Sequence, residues 1–192
     1  GGDLDAFIRK AVRTNGGRVV APLLNSEDTG LTINDRRWCL DAFAEGTHPS
    51  RGHLPQQTCR QLGETLAALH EIPVSHHGKP NHIENGRVMG EKTAPFEGVA
   101  QRFENPLPET WKTGYLHPIF NAAPEIEKKI LTRLRLVSER VRQGKAVLCH
   151  SDLHERQLIC AGGNLTALID FGDATILDRH RDLGSALYFH GA

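Results

Sequence analysis

The sequence has no apolar run near the roughly 20 residues that cross a membrane, so no helical span is expected. It also opens without the charged-then-apolar segment of a secretory signal. Excess charge of either sign is missing, because 23 lysines and arginines balance 23 aspartates and glutamates. No electrostatic case follows for binding nucleic acid or an anionic membrane. Closely spaced cysteine pairs are absent too, since Cys39, Cys59, Cys149 and Cys160 are scattered. Neither a disulfide framework nor a zinc knuckle is suggested, and a reducing cytoplasm is the expected location. What remains is a chain of 192 residues, long enough to bury a core as one domain or two small lobes.

Leu4, Phe7, Ile8, Ala11 and Val12 recur with helical spacing, and Asn15-Gly16-Gly17 is a helix stop. Val19 to Leu24, a turn at Ser26 to Gly30, and strand-like segments around Leu31 to Ile33 and Arg37 to Phe43 follow. Pro55 opens a second helix at its first position, with Leu62, Leu66 and Leu69 on one face. From Pro73 to Pro118 the chain is rich in Gly, Pro, His and Asn without a clean period, and short helical pieces are expected there. Pro124 opens a helix carrying Ile126, Ile130, Leu131, Leu134, Val137 and Val141 as a buried stripe as far as Gly144. Ala146 to Cys149 then forms a short apolar strand that delivers His150.

Chemistry concentrates in the next stretch. Asp152 sits in His150-Ser151-Asp152-Leu153-His154, followed by Gln157, two apolar runs around Gly162-Gly163-Asn164, and Asp170. Apolar runs flanking such a turn are a hairpin signal. If Ala161 pairs with Leu165, Gln157 falls opposite Ile169, and Gln157 and Asp170 leave the open end of the hairpin together, close to Asp152. Phosphoryl transfer needs such a cluster: one carboxylate to orient and deprotonate an attacking hydroxyl, another carboxylate and an amide oxygen to hold magnesium on nucleotide phosphates. Asp152 is the candidate base; Gln157 and Asp170 are the candidate ligands.

These residues resemble the catalytic and metal-binding segments of the aminoglycoside phosphotransferase and choline kinase-like enzymes, relatives of the protein kinases. The resemblance rests on His150, Asp152, the amide five positions on, and Ile169-Asp170-Phe171-Gly172-Asp173. Asp178 to Leu183 is similar to the family's Asp-x-x-x-Asp-Leu segment, and Leu62 to His70 to its helix ending in Leu-His. It implies an α+β, protein kinase-like fold: an incomplete small lobe over 1–46, with a linker strand at 37–46, then a mainly helical lobe over 47–192. The larger lobe would carry the catalytic loop at 148–157, the hairpin, and the metal-binding segment at 169–174. It further implies ATP with Mg2+ as donor and a hydroxyl of an aminoglycoside-like, amino-alcohol or sugar molecule as acceptor. His150 would be an orienting residue, the backbone of Asp41 and Phe43 would face adenine, and Asp178 and Asp182 would serve structure, Asp182 capping a helix from Leu183 and bonding the catalytic loop. His154 and Arg156 read as a solvated face.

The sequence departs from the family's pattern in two places, with Ser151 where glycine is usual and Gln157 where asparagine is usual. The Gly-rich loop and strand lysine that clamp the nucleotide are not seen, and the chain is expected to be a core truncated at both ends. Two other readings compete. One is a kinase-like binding module, or an inactive fragment, which would fold without transferring phosphate. The other is a metallohydrolase using His150, Asp152 and His154, which alternate on one face of an extended segment.

Overall fold

The computed structural model describes residues 2–36, 38–95, 97–98 and 125–191. Helix α1, Gly2–Thr14, places Ile8 and Val12 inward as the spacing predicts, both almost completely buried. It stops where Gly16 takes a positive φ of 87°. Gly17 packs so closely on Val12 and Ala68 that a side chain there would collide with them. Strand β1, Pro22–Asn25, pairs antiparallel with β2, Cys39–Asp41, through Leu24 opposite Leu40. A single helical turn, α2 (Ser26–Thr29), and an Ile33–Arg36 bridge fill the connection.

Helix α3, Gln56–His70, buries Leu62, Leu66 and Leu69 together with Thr58, Gln61 and Thr65. Pro55 stands at the N-cap, one residue before the position expected from the sequence, with φ −54° and ψ 144°. Residues 95, 97 and 98 are helical as expected, whereas from Pro73 to Lys92 strands stand where helical pieces were expected. Strands β3 (Val74–Ser75), β4 (His77–Glu84) and β5 (Arg87–Lys92) occupy this stretch, and β4 and β5 form a hairpin closed by Asn85-Gly86 with φ of 49° and 75°. That dipeptide is the strongest short hairpin signal available, but the polar residues along β4 hide the strand period. Helix α4 spans Glu125–Gln143 as expected; its anticipated apolar stripe lies outside the described residues, as does the segment 99–124.

Strand β6, Val147–Cys149, is fully buried and lies at one edge of a five-stranded sheet ordered β3-β5-β4-β9-β6, where β9 is Thr175–Leu177. The second hairpin consists of β7, Leu158–Ala161, and β8, Asn164–Leu168. Helix α5, His180–His190, begins three residues before Leu183, the start read from the sequence. One hydrophobic cluster joins Ile8, Val12 and Val19 to Leu62, Leu66 and Leu69 of α3, to Leu148 of β6 and to Leu158, Leu165 and Leu168 of the hairpin. Among the described residues no helix is long and apolar enough to cross a membrane.

Candidate active site

The site starts from the hairpin. Its turn is two residues, Gly162-Gly163, so Ala161 pairs with Asn164 rather than with Leu165. A bulge between Ile159 and Cys160 then absorbs one extra residue on β8, and Leu158 comes opposite Leu168. The Ile169 amide accordingly donates to the Gln157 carbonyl at 2.9 Å, which is the open-end pairing the sequence suggests, reached by a turn and a bulge. Gln157 and Asp170 therefore leave the hairpin side by side.

Asp152 meets them there. Gln157 Nε2 lies 3.3 Å from Asp152 Oδ2 and 3.2 Å from Asp170 Oδ2, so one amide bridges both carboxylates. Asp170 holds a left-handed conformation, φ 62°, and its Oδ1 accepts the Gly172 amide at 3.2 Å. For a non-glycine residue that backbone is unusual and fixes the direction of the carboxylate. Rotating the Gln157 amide would present its oxygen in place of its nitrogen. Together with Asp170 this gives the hard oxygen donors that magnesium prefers.

The loop carrying Asp152 is held from below. His150 is fully buried; Nε2 donates to the Ile169 carbonyl at 2.9 Å, and Nδ1 accepts the Asp152 amide at 3.3 Å. Burial pushes its pKa down and keeps the ring neutral. Its two ring nitrogens join the loop carrying Asp152 to the segment carrying Asp170. With both nitrogens engaged inside the protein, His150 does not face a metal shared with Asp152 and His154, and the metallohydrolase arrangement is not formed.

Asp182 is the anchor. Its Oδ2 accepts the His150 amide at 3.0 Å and its Oδ1 the Ser151 amide at 2.8 Å, while His70 Nε2 lies 2.9 Å from Oδ2. The Leu-His ending of α3 thus has a physical use: its histidine braces the carboxylate that holds the loop carrying Asp152. Asp182 does not cap α5 as expected from the sequence; Asp178 accepts the His180 amide at 2.8 Å instead. His70, Cys149 and Asp182 also lie close enough to share a cation. Burial pushes the Cys149 thiol up, however, and its Sγ lies 3.4 Å from the Asp178 carbonyl, so the group is a hydrogen-bonded knot.

Three loop contacts were not anticipated in the sequence. Arg181 Nη2 donates to the Ser151 carbonyl at 3.1 Å, Ser185 Oγ accepts the Leu153 amide at 3.2 Å, and His190 Nε2 donates to the Leu153 carbonyl at 2.7 Å. Asp182 and Ser185 share a helix face at i,i+3 spacing, a signal available once α5 starts at His180. The loop is consequently clamped along α5.

Beside Asp170 opens a cavity of about 540 Å3, lined in part by Arg9, Asp41, Lys79, Asp170, Phe171 and Gly172. Asp41 reaches it, whereas Phe43 is 87% exposed and lies outside its lining. Arg9, only 5% exposed, bridges Asp5 at 2.7 Å and Asp41 at 2.8 Å. Burial works against its charge, but these two carboxylates outweigh that and raise its pKa. Neither Arg9 nor Lys79 was singled out in the sequence.

Solved structures with this fold include the aminoglycoside phosphotransferase APH(4)-Ia, with a TM-score of 0.65 at 15% identity over 96% of this chain and 60% of that one. A thermostable mutant of that enzyme, in ternary complex with ADP and hygromycin B, gives 0.61 at 16% identity over 95% and 61%. The AMP-bound complex of spectinomycin phosphotransferase, APH(9)-Ia, gives 0.55 at 15% over 94% and 58%. The chain spans about three fifths of the length of these structures. At such identities the likeness establishes the fold, which is kinase-like with mixed helices and sheet. The family model carries the assignment further: it matches residues 6–192, nearly the whole chain, and the chain belongs to the phosphotransferase enzyme family.

Proposed function

We propose that this chain forms the core of an ATP-dependent phosphotransferase that moves the γ-phosphoryl group to a hydroxyl of a small molecule. The observation that carries the reading is that Asp152 and Asp170 each lie within 3.3 Å of the Gln157 amide, with the loop bearing Asp152 fastened by Asp182. Asp152 is the base that orients the acceptor hydroxyl and takes its proton. Gln157 and Asp170 are the residues that would hold Mg2+, which when bound neutralises charge on the phosphates. His150 keeps the two segments in register. Structures with this fold hold ADP and AMP, which supports a nucleotide in the cavity beside Asp170, a volume suited to a small ligand. In that pose Asp41 lines the adenine side. Residues 1–46 act as the smaller lobe and 47–192 as the larger, with catalytic loop 148–157 and metal-binding segment 169–174.

The acceptor is an aminoglycoside-like, amino-alcohol or sugar molecule; a solved structure with this fold holds hygromycin B together with ADP. The cytoplasm, which supplies ATP and magnesium, is the expected compartment. The test is thermal stability with MgATP, then transfer of γ-phosphate from labelled ATP to hygromycin B, spectinomycin and simple amino alcohols. Asp152→Ala should abolish transfer while keeping the melting temperature and the MgATP-dependent shift. Turnover retained in that variant would refute the base assignment, and a folded protein without any nucleotide shift would refute the phosphotransferase reading.

A further inference from the structure

Helix α3 buries three polar residues beside its leucines: Thr58, Gln61 and Thr65 are each at most 5% exposed. Their spacing of three and then four residues puts them on one face. Polar groups so deep in a protein need partners, and theirs belong to the β7–β8 hairpin or to the chain beside it. Thr58 Oγ1 donates to the Gly163 carbonyl at 2.7 Å. Gln61 Oε1 accepts the Leu165 amide at 2.7 Å, and its Nε2 donates to Asn164 Oδ1 at 3.0 Å. Thr65 Oγ1 accepts the Arg18 amide at 3.1 Å, and the Arg18 carbonyl accepts the Leu168 amide at 2.8 Å, two residues before Asp170.

Donor logic fixes both amides of this grip. A backbone N–H only donates, so the Gln61 atom facing Leu165 is its oxygen. Asn164 Nδ2 donates to the Gly162 carbonyl at 3.1 Å, which leaves Oδ1 to accept from Gln61. A leucine at position 61 could fill the same space, but apolar contacts tolerate sliding. A buried amide is stable only with its partners in place, and it ties α3 to one position on the hairpin.

The same helix reaches the other half of the site. Nine residues after Gln61, about 13 Å along the axis, His70 braces Asp182, which holds the His150 and Ser151 amides. One helix thus grips the hairpin from whose open end Gln157 and Asp170 leave, and the loop that carries Asp152. We propose that Gln61 is a positioning residue: by fixing the turn of the hairpin on α3, it sets where Gln157 and Asp170 stand relative to Asp152. This inference rests on the reading of those three residues as metal ligands and base.

Two variants test it. Gln61→Met nearly keeps the volume and removes both hydrogen bonds; Thr58→Val removes one bond with little change of shape. With labelled MgATP and hygromycin B as the acceptor probe, or water where that probe is not phosphorylated, Gln61→Met should lower kcat roughly tenfold at unchanged KM for MgATP, because the two metal ligands shift together relative to Asp152. Thr58→Val should show the same split to a smaller degree. A raised KM with kcat intact, or kcat unchanged in both variants, would overturn the proposal. Amide hydrogen exchange reads the shift without turnover. In Gln61→Met the Ile169 and Gly172 amides, bonded at the far end of the hairpin to the Gln157 carbonyl and to Asp170 Oδ1, should exchange roughly tenfold faster. The His150 and Ser151 amides on Asp182 should keep their protection. Acceleration confined to Leu165 would make the grip local, and equal acceleration throughout would make it a matter of stability alone; either result overturns the proposal. The expected exchange pattern in a protein that transfers phosphate to no probe would support the positioning of the hairpin and count against the phosphotransferase reading.

Discussion

Ser151 occupies the position where this family usually places glycine, and its backbone shows why glycine suits it. Its φ is 73°, in the left-handed region that costs an L-residue about 1 kcal/mol. Its hydroxyl is buried without a hydrogen-bond partner among the described residues, a further cost. The conformation persists because the Ser151 amide is held by Asp182 and its carbonyl by Arg181. Ser151→Gly should therefore raise stability by about 1 kcal/mol, after the extra freedom glycine gains in the unfolded chain is subtracted. Equilibrium urea unfolding measures this, and a destabilised variant would show that the strain reading is mistaken. Gln157 is the other departure, and its extra methylene lets one amide reach both carboxylates. In Gln157→Asn the shorter side chain should give up that bridge and keep or enlarge the stabilisation by MgATP over magnesium alone. A markedly smaller shift in a thermal melt would sink the ligand role of Gln157.

At the scale of elements, the parts that could be read from the sequence were those whose period matched their burial. Helix α1 and helix α3 show their apolar faces at three- and four-residue spacing, and both lie where expected. The β7–β8 hairpin was legible because its apolar runs flank glycines, although the register depended on a bulge that no local pattern announced. The β4–β5 hairpin was not recognised, because β4 reads His-Gly-Lys-Pro-Asn-His and buries only Gly78 and Pro80. Its pairing comes from neighbours far along the chain: Gly78 faces Ile176 on β9, and Gly90 leaves room for the His77 backbone. Helix α5 was placed too late, which hid the role of Ser185 and gave Asp182 a capping duty that Asp178 performs. The anchor function of Asp182 is testable at this scale. Asp182→Ala leaves the His150 and Ser151 amides buried without acceptors and His70 without its partner. The expected cost is about 3 kcal/mol, a fall in melting temperature of roughly 6 to 12 °C. Asp182→Asn, which keeps one oxygen acceptor, should lose less. Equal stability of the parent and the alanine variant in calorimetry would remove Asp182 from its anchoring role.

For the whole molecule, residues before and after position 46 share one interior. The hydrophobic cluster joins Ile8, Val12 and Val19 to α3, β6 and the hairpin. Backbone bonds reinforce that union: the Leu168 amide donates to the Arg18 carbonyl, Thr47 and Cys160 exchange bonds at 2.9 Å, and Thr166 Oγ1 donates to the Glu45 carbonyl. Gly46, at φ 132°, passes so close to Cys160 that no side chain would fit between them. The hairpin that places Gln157 and Asp170 is therefore pressed against the segment leading from β2, and the cavity is bounded by both parts of the chain. Such continuity predicts cooperative unfolding, because opening residues 1–46 strips apolar surface from α3 and the hairpin at once. In a Trp111→Phe background, Trp38 fluorescence reports the first part and far-ultraviolet circular dichroism the whole. The two urea transitions should coincide in midpoint and slope. An earlier fluorescence transition would mean that residues 1–46 open as a separate unit, and that the cavity beside Asp170 can lose a wall while the loop bearing Asp152 stays folded.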